Sequence, residues 1–284
     1  MRGLRRSKLF VPGNRPDLMV KAERGAADAL SFDLEDAVPE AEKAAARQAT
    51  AEFLGRACGS DKTMVVRVNA LDTGLMIEDI LAVTGPGLDI VNVPKCDAPR
   101  DLHVADEVLR HAERARGLES GSIKLMPTLE TPAGIRRAHE IATASPRTVA
   151  LQLGLGDLKA TTGIVAETAR LNAVRTLVVL AAAEAGIAAF DSAHPDIADI
   201  AGFEADAKEA RALGFRGKSC IHPSQVEPCN RIFAPGEAEI EEARALLAAY
   251  EDAKANGIGA IKFRGRLVDS AHAVDARELL ETVG

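Results

Sequence analysis

Tryptophan is absent from this chain and tyrosine occurs once, with aromatic residues at 3%. Little is therefore available for a stacking platform that would bind single-stranded nucleic acid. Acidic side chains outnumber basic ones, 42 to 35, for a net charge of −7, which argues against a broad nucleic-acid-binding surface. No apolar run approaches the roughly 18 to 20 residues that a membrane-spanning helix requires, and no signal peptide is expected. The four cysteines, Cys58, Cys96, Cys220 and Cys229, show no CxxC spacing. They point to a reducing, cytoplasmic compartment rather than to a disulfide framework or a zinc site.

What is present is ample apolar material: 47% of 284 residues, enough to bury a large core. Eight short apolar runs each end in polar or turn residues and are each followed by a longer, Ala-rich amphipathic stretch. They are KLFVPGN (8–14), ALSFDLED (29–36), TMVVRVNA (63–70), DIVNVPK (89–95), IKLMPTLET (123–131), VALQLGLGD (149–157), IAAFDSAH (187–194) and KSCIHPSQ (218–225). Segments such as 40–57 and 107–117 supply the intervening helices. Strands alternating with helices imply parallel pairing through crossovers, and eight such units close most simply into a TIM-type (β/α)8 barrel. The expected division is a barrel domain over 1–234 and a helical extension over 235–284. That extension would pack on the barrel or on another subunit.

A barrel builds its site at the C-terminal ends of its strands, so the polar residues there carry the functional reading. Side chains alternate along a strand. In the second run Leu30, Phe32 and Leu34 should face the helices, and Ser31, Asp33 and Glu35 the mouth. Asp33, Glu35 and Asp36 crowd three carboxylates into four positions, where a plain alternative is capping of the next helix. Arg67 sits at the third strand end, and its planar fork suits either a neighbouring carboxylate or that of a small acid substrate. Glu130 and Asp157, from adjacent strand ends, are the hard oxygen donors that suit Mg²⁺, although each also precedes a plausible helix start. If Gln152 faces inward, an ideal strand turns Asp157 outward, so Gly154 and Gly156 must bend the chain. Lys95, ending VPK, raises the rival of a Schiff-base aldolase. His222 suits a local orienting role better than that of a base.

Taken in order, SKLFVPGNRPD, FDLEDAVPEAEKAAAR, VVRVNA, VPK, PTLETPAG, LGLGDL, CIHPSQV and GRLVDSAHA resemble the citrate lyase β-subunit-like proteins of the HpcH/HpaI aldolase superfamily, which include malyl-CoA and citramalyl-CoA lyases. The resemblance spans almost the whole chain. It implies Mg²⁺ on Glu130 and Asp157, and a substrate carboxylate on Arg67, with Gly156 also in the substrate site. It further implies that Asp33, Glu35 and Asp36 stand beside the metal and hold its waters. Phe10, Lys21, Lys43, Arg47, Ile221, His222 and Pro223 match coenzyme A contacts, and Asp269 matches a catalytic aspartate contributed to a neighbouring subunit. Lys21, Lys43 and Arg47 also read simply as solvated helix charges pairing with acidic neighbours.

The implied activity is reversible cleavage of a 3-hydroxy-3-carboxyacyl-CoA such as malyl-, citramalyl- or citryl-CoA into acetyl-CoA and a 2-oxo acid, by a homotrimer or hexamer. Alternatives are an Mg²⁺-dependent aldolase or acyl-CoA thioesterase acting on related hydroxy acids, and a non-catalytic citrate lyase β-like subunit.

Overall fold

The first eight strands form a closed, all-parallel barrel in sequence order. They are β1 (Ser7–Pro12), β2 (Ala29–Asp33), β3 (Thr63–Arg67), β4 (Ile90–Val93), β5 (Lys124–Leu129), β6 (Ala150–Leu153), β7 (Ala188–Asp191) and β8 (Gly217–Cys220). The computed structural model describes residues 6–165 and 168–281. Each of the eight apolar runs is a strand, and each strand stops before the polar end of its run. β6 is the clearest case: it ends at Leu153, and the helix Leu155–Thr162 begins two residues later. Asp157 is thus the third residue of a helix, so strand alternation does not govern where it points.

Register explains the closure. Leu9 pairs with Leu30 on one side and Cys220 on the other, so the last strand lies against the first. Alternation then sorts the side chains into two layers. Ala29, Val65, Ile90, Met126, Ala150 and Phe190 pack together inside the barrel. Their strand neighbours Leu30, Val66, Val91, Leu125, Leu151 and Ala189 join the larger core beneath the helices. Phe32 belongs to this outer layer, fully buried and edge-to-face with Phe53 at 5.1 Å, an arrangement that adds to the area term. The outward layer also holds charge. Asp191 on β7 and Lys218 on β8 pair at 2.5 Å, and both reach Arg175 or Asp206 on the covering helices. Two cations balance two anions there, so each buried charge is compensated.

The chain divides into two compact units, one ending at Phe233 and the other beginning at Ala234. The second has a core of its own. Helix Glu237–Ala255 supplies Ala243, Leu246 and Tyr250, and helix Ser270–Glu281 supplies Ala273 and Ala276, with Val268 of an antiparallel hairpin (Ile261–Phe263 with Arg266–Val268) between them. Among the described residues no helix is long and apolar enough to cross a membrane, and all four cysteines are free, Cys58 exposed and the others buried.

Phe32→Ala should destabilise the barrel by about 3–5 kcal/mol, the range for truncating a packed aromatic, read from urea unfolding at neutral pH.

Candidate active site

At the C-terminal mouth of the barrel, the ends of β2 and β3 and the turns after β2, β4 and β5 bring six charged residues together: Asp33, Glu35, Asp36, Arg67, Lys95 and Glu130. Asp33, last in β2, is paired in register with Arg67, last in β3. Its two carboxylate oxygens accept from Arg67 Nε at 2.7 Å and Nη2 at 2.6 Å. The backbone amides of Glu35 and Ala37, both at 3.0 Å, fix the same carboxylate from the loop side. Two of the five guanidinium N–H groups are thereby committed to a bidentate pair. The Nη1 side stands 2.9 Å from Glu35 Oε2 and 3.6 Å from Asp36.

Lys95 completes this charge network from the turn after β4, with Nζ 2.5 Å from Glu35 Oε1 and 3.5 Å from Asp36. The three carboxylates of FDLED are therefore held by two cations, while Asp36 alone is exposed. Burial opposes the Lys95 charge, but the hydrogen bond and charge of Glu35, then Asp36, outweigh it and raise its pKa above that of an ordinary lysine. A lysine so held keeps its proton at neutral pH, which removes the neutral amine that Schiff-base chemistry needs.

Glu130 follows β5 and is 3% exposed. Lys95 has φ +47, and in this left-handed turn its backbone N–H donates to Glu130 Oε1 at 2.7 Å. On the other side, a Cβ at Gly154 would lie 2.4 Å from Glu130 Oε2; only glycine lets the carboxylate sit there. Burial pushes the Glu130 carboxyl up to about 8 against the pull of the Lys95 amide, with the charges of Glu35 and Asp157 adding to the rise and Arg67 opposing it. Asp157 thus acts on Glu130 from the first turn of helix Leu155–Thr162, whose leading amide is tied to Ser192 Oγ at 2.9 Å. Gly156 stands exposed in the same turn.

A divalent cation suits these donors. Glu130 is buried and raised by burial and by neighbouring anions, Asp157 among them, and a positive ion would relieve both. Among the described residues no group of three or more His, Cys, Asp or Glu side chains is close enough to enclose a metal. Two hard oxygen donors, with the other positions left to water or substrate, is the Mg²⁺ pattern.

The other expected site residues are distributed as follows. Phe10 lies beneath the guanidinium, with Arg67 Cζ 5.0 Å from its ring centroid. Lys43 Nζ donates to the carbonyls of Leu34 and Glu35, both at 3.0 Å, and to Asn69 Oδ1 at 2.6 Å, so it braces the acidic loop. Arg47 pairs with Asp79 at 2.8 Å and Glu78 at 3.1 Å. Lys21 is exposed and 4.0 Å from Asp17. Ile221, His222 and Pro223 are exposed after β8, where His222 Nδ1 accepts from the Ser224 amide at 3.2 Å and so caps the following turn. Asp269 belongs to the second unit. Its carboxylate is 2.8 Å from His272 Nδ1, and that hydrogen bond holds it below the usual carboxylate range.

Lys8 and Gln152 also line this face, and the sequence reading gives neither a functional role. The available signal is parity: Lys8 shares a strand face with Phe10, and Gln152 with Thr128, its partner on β5, and Gly154.

The HpcH/HpaI aldolase/citrate lyase family model matches residues 6–223. The citrate lyase subunit beta of Leuconostoc mesenteroides subsp. cremoris is 36% identical over 280 residues, covering 98% of this chain and 93% of that one. The L-malyl-CoA/beta-methylmalyl-CoA lyase of Cereibacter sphaeroides (strain ATCC 17025) is 35% identical over 299 residues, covering 97% and 93%. The crystal structure of protein CitE from Mycobacterium tuberculosis in complex with magnesium, acetoacetate and coenzyme A matches with a TM-score of 0.77 at 32% identity, covering 99% and 98%. This chain belongs to the HpcH/HpaI aldolase/citrate lyase family.

Proposed function

We propose that this carbon–carbon lyase cleaves, reversibly and with Mg²⁺, a 3-hydroxy-3-carboxyacyl-CoA thioester such as malyl-, citramalyl- or citryl-CoA into acetyl-CoA and a 2-oxo acid. The observation that carries the reading is the buried Glu130 carboxylate, raised to about 8 in part by the charge of Asp157, on the same barrel mouth as Arg67 and two strands along from it. The printed names of the two relatives, and the magnesium, acetoacetate and coenzyme A of the M. tuberculosis crystal, support it.

Glu130 and Asp157 would hold the cation, which when bound supplies Lewis-acid polarisation of the substrate's hydroxyl and carboxylate oxygens. Arg67 pairs with the substrate carboxylate through N–H groups that Asp33 leaves free, while Asp33 fixes the plane of the guanidinium. Glu35 and Asp36 balance Arg67 and Lys95 and would hold waters of the bound cation. Transfer of the hydroxyl proton to a water turns the C–O bond into the carbonyl of the 2-oxo acid. The electron pair of the broken C–C bond passes to the thioester as an enolate, which a proton converts to acetyl-CoA. We assign that proton to Asp269 or a water it orients. Coenzyme A is assigned to Phe10, Lys21, Lys43, Arg47, Ile221, His222 and Pro223. Of the three cationic residues among these, Lys21 is the most exposed. The chain is taken to work as a homo-oligomer in the cytoplasm, a reading supported by its free cysteines and by Leu177 and Leu180, which are 52% and 61% exposed.

Release of acetyl-CoA from malyl-CoA or citramalyl-CoA should require Mg²⁺ and stop with chelator. If neither thioester reacts while a free hydroxy acid does, the lyase reading is wrong. Arg67→Lys replaces a planar fork by a point charge and should lower kcat/KM by about 10²-fold, with the larger part in KM for the oxo acid in the condensation direction. Asp269→Asn should lower kcat while leaving oxo-acid binding, followed by calorimetry, within twofold.

Glu130 gives a pH signature. The folded protein keeps its proton to about pH 8, whereas the unfolded chain releases it near 4.5. The native state therefore binds more protons in that interval, and stability falls as pH rises through it. Glu130→Gln keeps an acceptor for the Lys95 amide and removes the charge. Without metal, the variant should be the more stable protein above pH 8, by on the order of a few kcal/mol. The difference should vanish below about pH 4.5, and Mg²⁺ should raise the melting temperature of the wild type only.

A further inference from the structure

Besides the apolar layer of Ala29, Val65, Ile90, Met126, Ala150 and Phe190, the barrel interior holds a set of buried polar side chains. Lys8, from β1, is fully buried there and donates to Gln152 Oε1 of β6, across the barrel. Lys8 Nζ also lies 4.1 Å from the centroid of the Phe10 ring, the same ring on which the Arg67 guanidinium rests at 5.0 Å. Asn92 donates to Thr128 Oγ1 at 2.8 Å in this layer. Ser31 Oγ, Asn92 Oδ1 and Ser219 Oγ are buried on the same inward face without a hydrogen-bond partner among the described residues. A lysine placed so deep is costly, and packing alone would be met as well by methionine.

The orientation of Gln152 gives that lysine a use. Because Lys8 Nζ donates to Gln152 Oε1, the amide presents its oxygen to Lys8 and turns its Nε2 donors away from it. The side chain makes no other hydrogen bond to the described residues. On β5, Thr128 pairs with Gln152 and Glu130 lies two residues further along; on β6, Gly154 lies two beyond Gln152, against Glu130. Gln152 is thus directly beneath the carboxylate assigned to the metal.

We propose that Lys8 is a positioning residue that locks the Gln152 amide with its N–H groups toward the small acid held between Arg67 and Glu130, making Gln152 a donor to an oxygen of the 2-oxo acid. The inference rests on the lyase reading above and adds to it a third recognition group and the residue that orients it. A site built to donate to an oxygen rejects ligands lacking it, because its own donors would be left unpaired.

The test is calorimetric titration of oxaloacetate and of pyruvate, with saturating Mg²⁺, into the wild type, Lys8→Met, Gln152→Leu and the double variant. Each single change should weaken binding at least tenfold, and the double variant should match Gln152→Leu within twofold, since Lys8 acts only through Gln152. Gln152→Glu guards against a folding defect: it keeps an acceptor for Lys8 as an ion pair, so it should melt no lower than the wild type and still lose at least tenfold in oxo-acid affinity. Mg²⁺ affinity should stay within twofold in Gln152→Leu. Wild-type affinity in Gln152→Leu or Gln152→Glu, or additive losses in the double variant, overturns the proposal and leaves the lyase reading intact. A wild type that binds neither oxo acid overturns both.

Discussion

Glu130 is a carboxylate out of water with no cationic side chain paired to it among the described residues, and much of the mouth of the barrel is arranged around that fact. An ionised carboxyl in such a place needs hydrogen bonds, a counter-charge or a proton. One oxygen receives the Lys95 amide, which only a left-handed residue at the end of VPK aims correctly. The Lys95 ammonium, which might have neutralised Glu130, is instead drawn to Glu35 at 2.5 Å. The chain thus spends its lysine on one carboxylate and leaves another bare, which is the electrostatic condition for taking up an exogenous cation.

The acidic loop after β2 makes that division possible. Asp33 holds the Arg67 guanidinium in one plane by two hydrogen bonds, and this acceptor is itself fixed by two backbone amides. Lys43 anchors the same loop from the helix Lys43–Arg56 through two of its carbonyls. The arrangement places a rigidly held guanidinium at the end of β3 and, after β5 on the same mouth of the barrel, a buried carboxylate with no cationic side chain paired to it among the described residues.

Much of this was legible because periodicity survives in a single sequence. Leu30, Phe32 and Leu34 alternate with Ser31, Asp33 and Glu35, and that pattern fixes which residues meet the helices and which meet the mouth. Strand ends were less legible: the runs continue in apolar residues such as Leu155, which is buried by a helix rather than by a strand. Glycine at 154 and 156 reads as a bend in either case, so the helical start that carries Asp157 is not distinguishable by pattern alone. The pairing of Lys95 was out of reach for another reason. Its amide and its ammonium serve different carboxylates, and φ +47 for a non-glycine residue is set by tertiary context. Lys43 and Arg47 look like free surface charges in sequence because their partners Asn69 and Asp79 lie 26 and 32 residues away.

The two buried lysines of the barrel show how similar signals separate once faces are known. Lys218 points outward between β8 and its covering helices, where Asp191 and Asp206 match it charge for charge with Arg175. Its charge is fully compensated, and the cluster ties strands to helices. Lys8 points inward, where among the described residues its side chain donates to a neutral amide, and burial, then the charge of Arg67, press its pKa well below that of an ordinary lysine, while Asp33 and Glu130 press it back up. A fold needing only a filled interior gains nothing from that opposition. An uncompensated polar group beneath a ligand site is the kind of local cost that a protein retains when the group orients something above it.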